Sequence, residues 1–521
     1  MSKLIQASGA AAAATMASRI LGFARETVYA GFYGDTAVAS AFVAAFTIPN
    51  LFRRLLGEGA LTSVFVPVFT RREKEEGPEA ALRGGAAVVI AVAGLCMAGV
   101  VALMLLATAL VEWVPMPVQR EMMLRLTRLM LPYAAFVCVA AVFMAMLNAR
   151  GHYFVPALGS ATMSLVMIGS VYGLAPLFGT TLEQQVAGLA VGVILAGVAQ
   201  AAFQWPALRK EGFRLSMSIP WRDPTVRESF TRLVPATVGV AAYQFNVVAT
   251  QAIGSLQADH VLASYNYAVR LLELPQGVIG VSVATYLLTE LSRRAADKQF
   301  PEFRRLVGDG MLHLCFLNGL ASILLAVLAE PIVRLLFEHG RFNEASTARA
   351  ALALRMLAPG LLATSLTGIL SRAFYALDDM RVPMRIGVFC LGMNVVLALL
   401  LAFPFQQAGL AAANALTAVL NAALLLYAFR RKMPKFDLRA MLPALGRMTA
   451  HVAMAGVVAW GTHELWDSWV GHAGKLRQAG AVFAPAFVAL AAYVGASLAT
   501  GVPQARDLAG LLLRKLRLRN D

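Results

Sequence analysis

Charged residues are scarce in this 521-residue chain: they make up 14%, where a soluble protein carries about 25%. That shortage excludes an ordinary soluble globule. The period-2 alternation of a membrane β-barrel is also missing. No GxxxxGK(S/T) loop occurs, so nothing in the chain points to ATP as its energy source. There is no HExxH string and no paired His/Cys spacing for a metal, and the seven histidines (His152, His260, His313, His339, His451, His463, His472) are scattered. The four cysteines (Cys96, Cys138, Cys315, Cys390) all lie inside apolar runs and read as small core residues rather than disulfide partners. The polar connections are too short to form a catalytic domain.

What remains is apolar: 59% of residues are hydrophobic and the mean hydropathy is +0.67. Runs of about 18 residues or more recur from end to end, each long enough to cross a hydrocarbon core of about 30 Å. In lipid, backbone polar groups must be satisfied within the element, so these runs are helices. Polar breaks place spans at 8–33, 36–69, 85–112, 122–149, 153–177, 183–207, 230–257, 261–292, 304–329, 346–376, 382–404, 408–430, 442–464 and 479–501. The expected class is therefore an all-α polytopic membrane protein of about fourteen transmembrane helices. The first helix carries Arg19 and Arg25 and runs into the next span, unlike a cleaved signal peptide.

The net charge of +16 sits mostly in alternate connections. RREKEEGPEAALR, RKEGFRLSMSIPWRDPTVRESFTR, SRRAADKQFPEFRR, LDDMRVPMR and RRKMPKFDLR are dense in Lys and Arg, whereas GDTA, FGTTLEQQ, LQADH and FPFQQAG are almost free of them; the connections holding Arg120, Arg125 and Arg128, and Arg334 and Arg341, are exceptions. This asymmetry places both termini in the cytoplasm, in keeping with an even number of spans. No aromatic-interleaved basic domain suggests nucleic acid. EPIVRLLFEHGRF has the pattern of an amphipathic helix at the outer surface, and LLLRKLRLRND that of a basic tail drawn to anionic lipid.

The chain also resembles itself. RLMLPYAAFVCVAAVFMAMLNARGHYFVPAL aligns with RMLAPGLLATSLTGILSRAFYALDDMRVPMRI, so Arg128, Pro132 and Pro156 share a register with Arg355, Pro359 and Pro383. Arg54-Leu55-Leu56 likewise stands opposite Arg270-Leu271-Leu272. Matching spans are six apart and share one orientation, which defines a parallel repeat. The expected organisation is an N-terminal lobe at 1–210, a C-terminal lobe at 222–432 around a central cavity, two added spans at 440–505 and a basic tail at 506–521.

Arginines within the spans carry the functional signal: Arg19 and Arg25 in the first, Arg53 and Arg54 in the second, Arg270 in the eighth. Each costs about 2.5–3.5 kcal/mol or more at the bilayer centre, so each should meet a watered cavity or a partner. On a helix Arg19 shares a face with Glu26, and Ser18 with Arg25, while Asn50 lies one turn from Arg53. Arg54–Glu58 and Arg270–Glu273 have the spacing of internally neutralised pairs. Surplus guanidinium attracts an anion, and its planar fork suits phosphate. Pro49 with Gly57-Glu58-Gly59, and Pro275 with Gly277 and Gly280, are candidate hinges and equally ordinary membrane-helix residues.

The strings SRILGFARE, IPNLFRRLLGEGALTSVFVP and RLLELPQGVIGV resemble the MurJ (MviN) family of lipid II flippases, within the superfamily of multidrug, oligosaccharidyl-lipid and polysaccharide exporters. The resemblance spans the whole chain. It implies alternating access that carries undecaprenyl-pyrophosphate-linked peptidoglycan precursor across the bacterial inner membrane, and a groove near the last two spans for the lipid tail. It also implies that Arg19, Arg25, Arg53 and Arg270 bind pyrophosphate, with Asn50 and Glu273 in support; helical spacing adds Ser18, Glu26, Arg54 and Glu58 as supporting or gating candidates. The chain departs from the family at Ser40 and Val269, where acidic residues are expected. No enzymatic activity and no cofactor are implied; membrane potential or an ion gradient would supply energy, and cell-wall synthesis proteins are candidate partners. Rival readings are an exporter of another anionic isoprenoid-linked glycan, a drug antiporter, which would favour cavity carboxylates, a membrane glycan transferase, and a non-transporting scaffold that tolerates loss of the arginines.

Overall fold

Helix satisfies its own backbone groups, and the protein uses little else. A computed structural model describes residues 2–55, 61–215, 219–277, 290–507 and 510, and among them there is no strand. The interruptions expected at Gly57-Glu58-Gly59 and Gly280, and most of the tail at 506–521, lie outside these residues. Two compact units divide the chain, Met1–Ala263 with His339–Phe342, and Ser264–Glu338 with Asn343–Asp521.

The first unit contains α1 (Ser2–Tyr33), α2 (Ala37–Phe52), α3 (Leu61–Glu76), α4 (Pro78–Trp113), α5 (Val118–Met130), α6 (Tyr133–Ala149), α7 (Phe154–Gly173), α8 (Leu182–Lys210) and α9 (Pro224–Ser255). It ends in the first turn of α10 (Val261–Pro275). Local signals start several of these helices. The Thr36 hydroxyl accepts from Ala39 N–H at the start of α2, Thr181 and Gln184 form a capping box on α8, and Asp223 caps α9 immediately before Pro224. Small residues let α4 pack closely: a Cβ on Gly85 would stand 2.5 Å from the Met146 sulfur of α6. α9 packs on α2, α3 and α4, so this packing unit reaches further along the chain than the lobe read from the repeat.

The run expected as one span at 122–149 is two helices, α5 and α6, bent by 42° at Leu131-Pro132. Proline has no N–H and clashes with the preceding turn, which accounts for the break. Its repeat counterpart Pro359 sits inside a continuous helix, so the two copies respond differently to the same residue.

The second unit contains the rest of α10, then α11 (Phe300–Val327), α12 (Ala329–Phe337), α13 (Glu344–Ala376), α14 (Arg381–Lys432), α15 (Leu442–Trp469) and α16 (Lys475–Ala499). At 52 residues α14 would be about 78 Å long if straight, far beyond a bilayer. It breaks at Gln406, where φ is +51° and ψ −127°. Asn394 donates to the Thr417 hydroxyl at 3.3 Å, and a Cβ on Gly409 would stand 2.0 Å from the Leu401 carbonyl oxygen. Both pairs centre near Gln406, so α14 is an antiparallel hairpin of two helices, broken in the connection expected between 382–404 and 408–430.

Phe303, Phe374, Phe429 and Phe436 form one aromatic core around α11, α13 and α14. α15 and α16 pack on α11 through Phe316 and Tyr493, whose rings are 4.8 Å apart and whose hydroxyl donates to the Phe316 carbonyl at 2.9 Å. The segment expected to lie amphipathically at the outer surface is helical in α12, yet its apolar side is packed: Val333 and Phe337 are fully buried. Arg334 is held between Glu330 at 2.8 Å and Glu338 at 3.4 Å.

Among the described residues eight helices are long and apolar enough to cross a membrane, or nine with the bent α5–α6 pair counted as one; both counts take α14 as a single helix. Those that fall short among the described residues include α1 and α10, which bear Arg19, Arg25 and Arg270, and α2, which ends immediately before Arg53. Embedded charge lowers the apolarity of α1, and α2 and α10 are only 16 and 15 residues long.

Candidate functional site

The arginines of the first unit are set by three helices. α1 lies on α7 in parallel register: Gly22 faces the Ser164 hydroxyl, and one turn later the Arg25 guanidinium reaches the Met167 sulfur at 3.7 Å. Its other terminal nitrogen donates to Glu26 at 2.6 Å, with both side chains about five-sixths buried. Glu26 is thus engaged by its chain neighbour Arg25, although helical spacing puts it on the face of Arg19. Arg19 is exposed and makes no ion pair among the described residues; Ser18 beside it is half-buried.

α2 ends at the next pair. Arg53 donates through Nε to the Asn50 side-chain oxygen at 2.8 Å, as the one-turn spacing predicts. Arg53, Arg54 and Leu55 form a π-helical turn, a local widening common at functional positions. Arg54 is half-buried, and its expected partner Glu58 lies outside the described residues.

In the second unit Arg270 bonds Glu273 at 2.8 Å, the i,i+3 pair anticipated from spacing. α10 runs past Pro275 into another π-helical turn at Gln276-Gly277, where the Gln276 amide donates to Thr364 of α13 at 2.8 Å. Val269, at the second departure from the family pattern, is half-buried. Ser40, at the first, is 3% exposed and bonded to backbone at the start of α10.

Two groups of contacts join residues far apart in the chain with no local sequence signal. In connections that the charge pattern assigns to the cytoplasm, Arg71 pairs with Glu228, and Arg72 with Asp223, the Thr225 hydroxyl and Glu76. Arg150 lies 2.9 Å from Glu73 and 3.2 Å from Glu211, and His152 is 2.8 Å from Glu211. Burial acts to raise the Asp223 pKa, but hydrogen bonds from the Thr225 hydroxyl and N–H and from Arg72 hold it below the usual carboxylate value. At the other end of α1, Arg341 N–H donates to Gly31 O at 2.9 Å and its guanidinium to Phe32 O at 2.7 Å. Gly340, at φ +60°, comes so close that a Cβ would stand 2.2 Å from that same Gly31 oxygen.

An all-helical protein with several bilayer-length helices and arginines in its membrane runs has the architecture of a membrane transporter. Solved structures share this fold. One described as lipid II flippase MurJ in an inward closed conformation superposes with TM-score 0.77 at 19% identity, over 96% of this chain and 99% of the other. A multidrug resistance MATE family transporter of the MOP superfamily, in an inward-facing conformation, gives 0.66 at 16% over 80% and 95%.

The profile of the family described as lipid II flippase MurJ matches residues 29–479. A probable lipid II flippase MurJ of Vibrio cholerae is 31% identical, over 90% of this chain and 91% of its own. One of Bdellovibrio bacteriovorus is 30% identical over 96% of both, and the lipid II flippase MurJ of Burkholderia cenocepacia 29% identical over 86% and 88%. The chain belongs to the lipid II flippase MurJ family.

Proposed function

We propose that this protein moves lipid II, an undecaprenyl-pyrophosphate-linked peptidoglycan precursor, from the inner to the outer leaflet of the bacterial cytoplasmic membrane. One observation carries the reading: identity of 30–31% to relatives called probable lipid II flippases extends over nine-tenths or more of both chains. Arg19, Arg25, Arg53 and Arg270 supply the guanidinium groups that bind the pyrophosphate, with Ser18, Glu26, Asn50, Arg54, Glu58 and Glu273 in support. Guanidinium offers two parallel donors to a phosphate and keeps its charge throughout the cycle.

Transport needs contacts that differ between inward- and outward-facing states, because equal binding to both shifts no equilibrium. The Arg25–Glu26 and Arg270–Glu273 pairs supply a physical means, since each arginine can exchange its carboxylate for phosphate. No bond of the substrate is made or broken in this scheme, so the protein acts as a transporter without enzymatic chemistry or cofactor. Membrane potential is a sufficient drive in kind: moving one charge through 100 mV is worth about 2.3 kcal/mol. Both termini lie in the cytoplasm, consistent with the basic connections.

Binding tests the site. Native mass spectrometry of the purified protein with lipid II should show a complex that single Ala replacements at Arg19, Arg25, Arg53 and Arg270 weaken about tenfold each, equivalent to about 1.4 kcal/mol. Undiminished binding across all four variants would refute the arginine site.

A further inference from the structure

We propose that Ser40 is a positioning residue for Arg270, acting through a hydroxyl relay at the first turn of α10; this rests on the reading of Arg270 as a pyrophosphate ligand. The Ser40 hydroxyl, one turn into α2, accepts from the Ala263 N–H at 3.1 Å and donates to the Asp259 carbonyl. Asp259 and Ala263 are four residues apart, the spacing of an α-helical N–H to carbonyl bond. The hydroxyl therefore stands where the opening bond of α10 would close, passing it from N–H through Oγ to the carbonyl. The first N–H groups of a helix have no partner within it, and here one is met from another helix.

The chemistry selects the side chain. A hydroxyl donates and accepts at once, whereas an ionised carboxylate only accepts and would turn a lone pair toward the Asp259 carbonyl. Serine in place of the acidic residue expected from the family pattern fits this backbone: Ser40 is 3% exposed, and its hydroxyl supplies the proton that an ionised carboxylate there would lack.

The link to Arg270 is helical geometry. Ala263 and Arg270 are seven residues apart on one helix, so at 100° per residue they fall within about 20° of the same face, roughly 10 Å apart along the axis. Holding the Ala263 N–H sets both the rotation and the axial position of the helix that presents Arg270.

Lipid II affinity of the purified full-length protein tests this with Ser40→Ala, Ser40→Thr, Ser40→Asp, Arg270→Ala and the Ser40→Ala/Arg270→Ala double variant. Loss of a helix-capping hydroxyl should weaken binding about fivefold in Ser40→Ala. Ser40→Thr, which keeps the relay, should stay close to wild type, Ser40→Asp should behave like Ser40→Ala, and Ser40→Ala should add no loss once Arg270 is gone. An equal loss with and without Arg270 would make Ser40 merely structural and overturn the proposal, as would wild-type affinity in Ser40→Asp. If Ser40→Ala does not fold, the Thr and Asp variants make the same comparison. Unchanged affinity in Arg270→Ala would instead sink the reading of Arg270 as ligand, and with it any positioning role.

Discussion

Arg72 and Asp223, 151 residues apart in the chain, are ion-paired where the end of α3 meets the start of α9. Thr225 shares the same guanidinium nitrogen, and Gly84 of α4 leaves the room: a Cβ there would lie 2.4 Å from the Thr225 hydroxyl and 2.7 Å from that nitrogen. One contact thus joins three helices. With Arg71–Glu228 beside it, it fastens a face that the charge pattern places in the cytoplasm.

Reversing either charge should loosen this face and reversing both should restore it in part. Hydrogen bonds to charged groups contribute about 1.5–3 kcal/mol each, so Arg72→Asp and Asp223→Arg should each lower the melting temperature of the purified protein measurably. The double reversal should recover only the ion-pair part of the loss, because an arginine at 223 cannot accept from Thr225 N–H as the α9 cap does. A double variant no better than the worse single one would show that the pair is not the fastening.

The pH dependence of this contact has a definite sign. Asp223 has a folded-state pKa below its ordinary value, so its stabilisation is complete above the unfolded value of about 3.9 and is lost as pH falls through the lower folded one. The stability difference between wild type and Asp223→Asn should therefore be constant from about pH 8 to about pH 5 and shrink only in stronger acid. Thermal melting across that range checks it, and a difference that fades between about pH 7 and 6 would contradict the assignment.

The α14 hairpin makes a steric prediction. With 2.0 Å between a Cβ at Gly409 and the Leu401 carbonyl oxygen, and backbone on the other side of the contact, Gly409→Ala cannot be accommodated by side-chain rotation. The variant should lose about 1–3 kcal/mol and destabilise the Asn394–Thr417 bond. Gly387→Ala, on the same helix but with nothing within 4 Å, should be tolerated. Equal stability of the two variants by melting would dismiss the tight turn.

Local pattern made much of this architecture legible. Apolar runs at 153–177 and 183–207 overlap α7 and α8, and i,i+3 spacing anticipated Arg53–Asn50 and Arg270–Glu273. The misread features depend on context. Pro132 breaks a span while Pro359 does not, although the two share a repeat position, so the residue alone does not decide whether the helix breaks. Glu26 meets Arg25 rather than Arg19, a choice of side-chain reach that helical angle does not decide. The Arg72–Asp223 pair and the Arg341 contact with Phe32 join residues 151 and 309 positions apart, and nothing in their local sequence signals a partner. Ser40 is the sharpest case: it reads as the loss of a carboxylate, yet its hydroxyl bridges a donor and an acceptor that a carboxylate could not serve together.

The most direct test of transport is the exposure of lipid II at the outer leaflet of cells depleted of this protein and lacking any redundant flippase. Cells would be complemented with wild type or with Ala at Arg19, Arg25, Arg53 or Arg270. Depletion should trap lipid II on the inner side, wild type should restore exposure, and each arginine variant should fail although it reaches the membrane. Exposure that persists after depletion would contradict a flippase role.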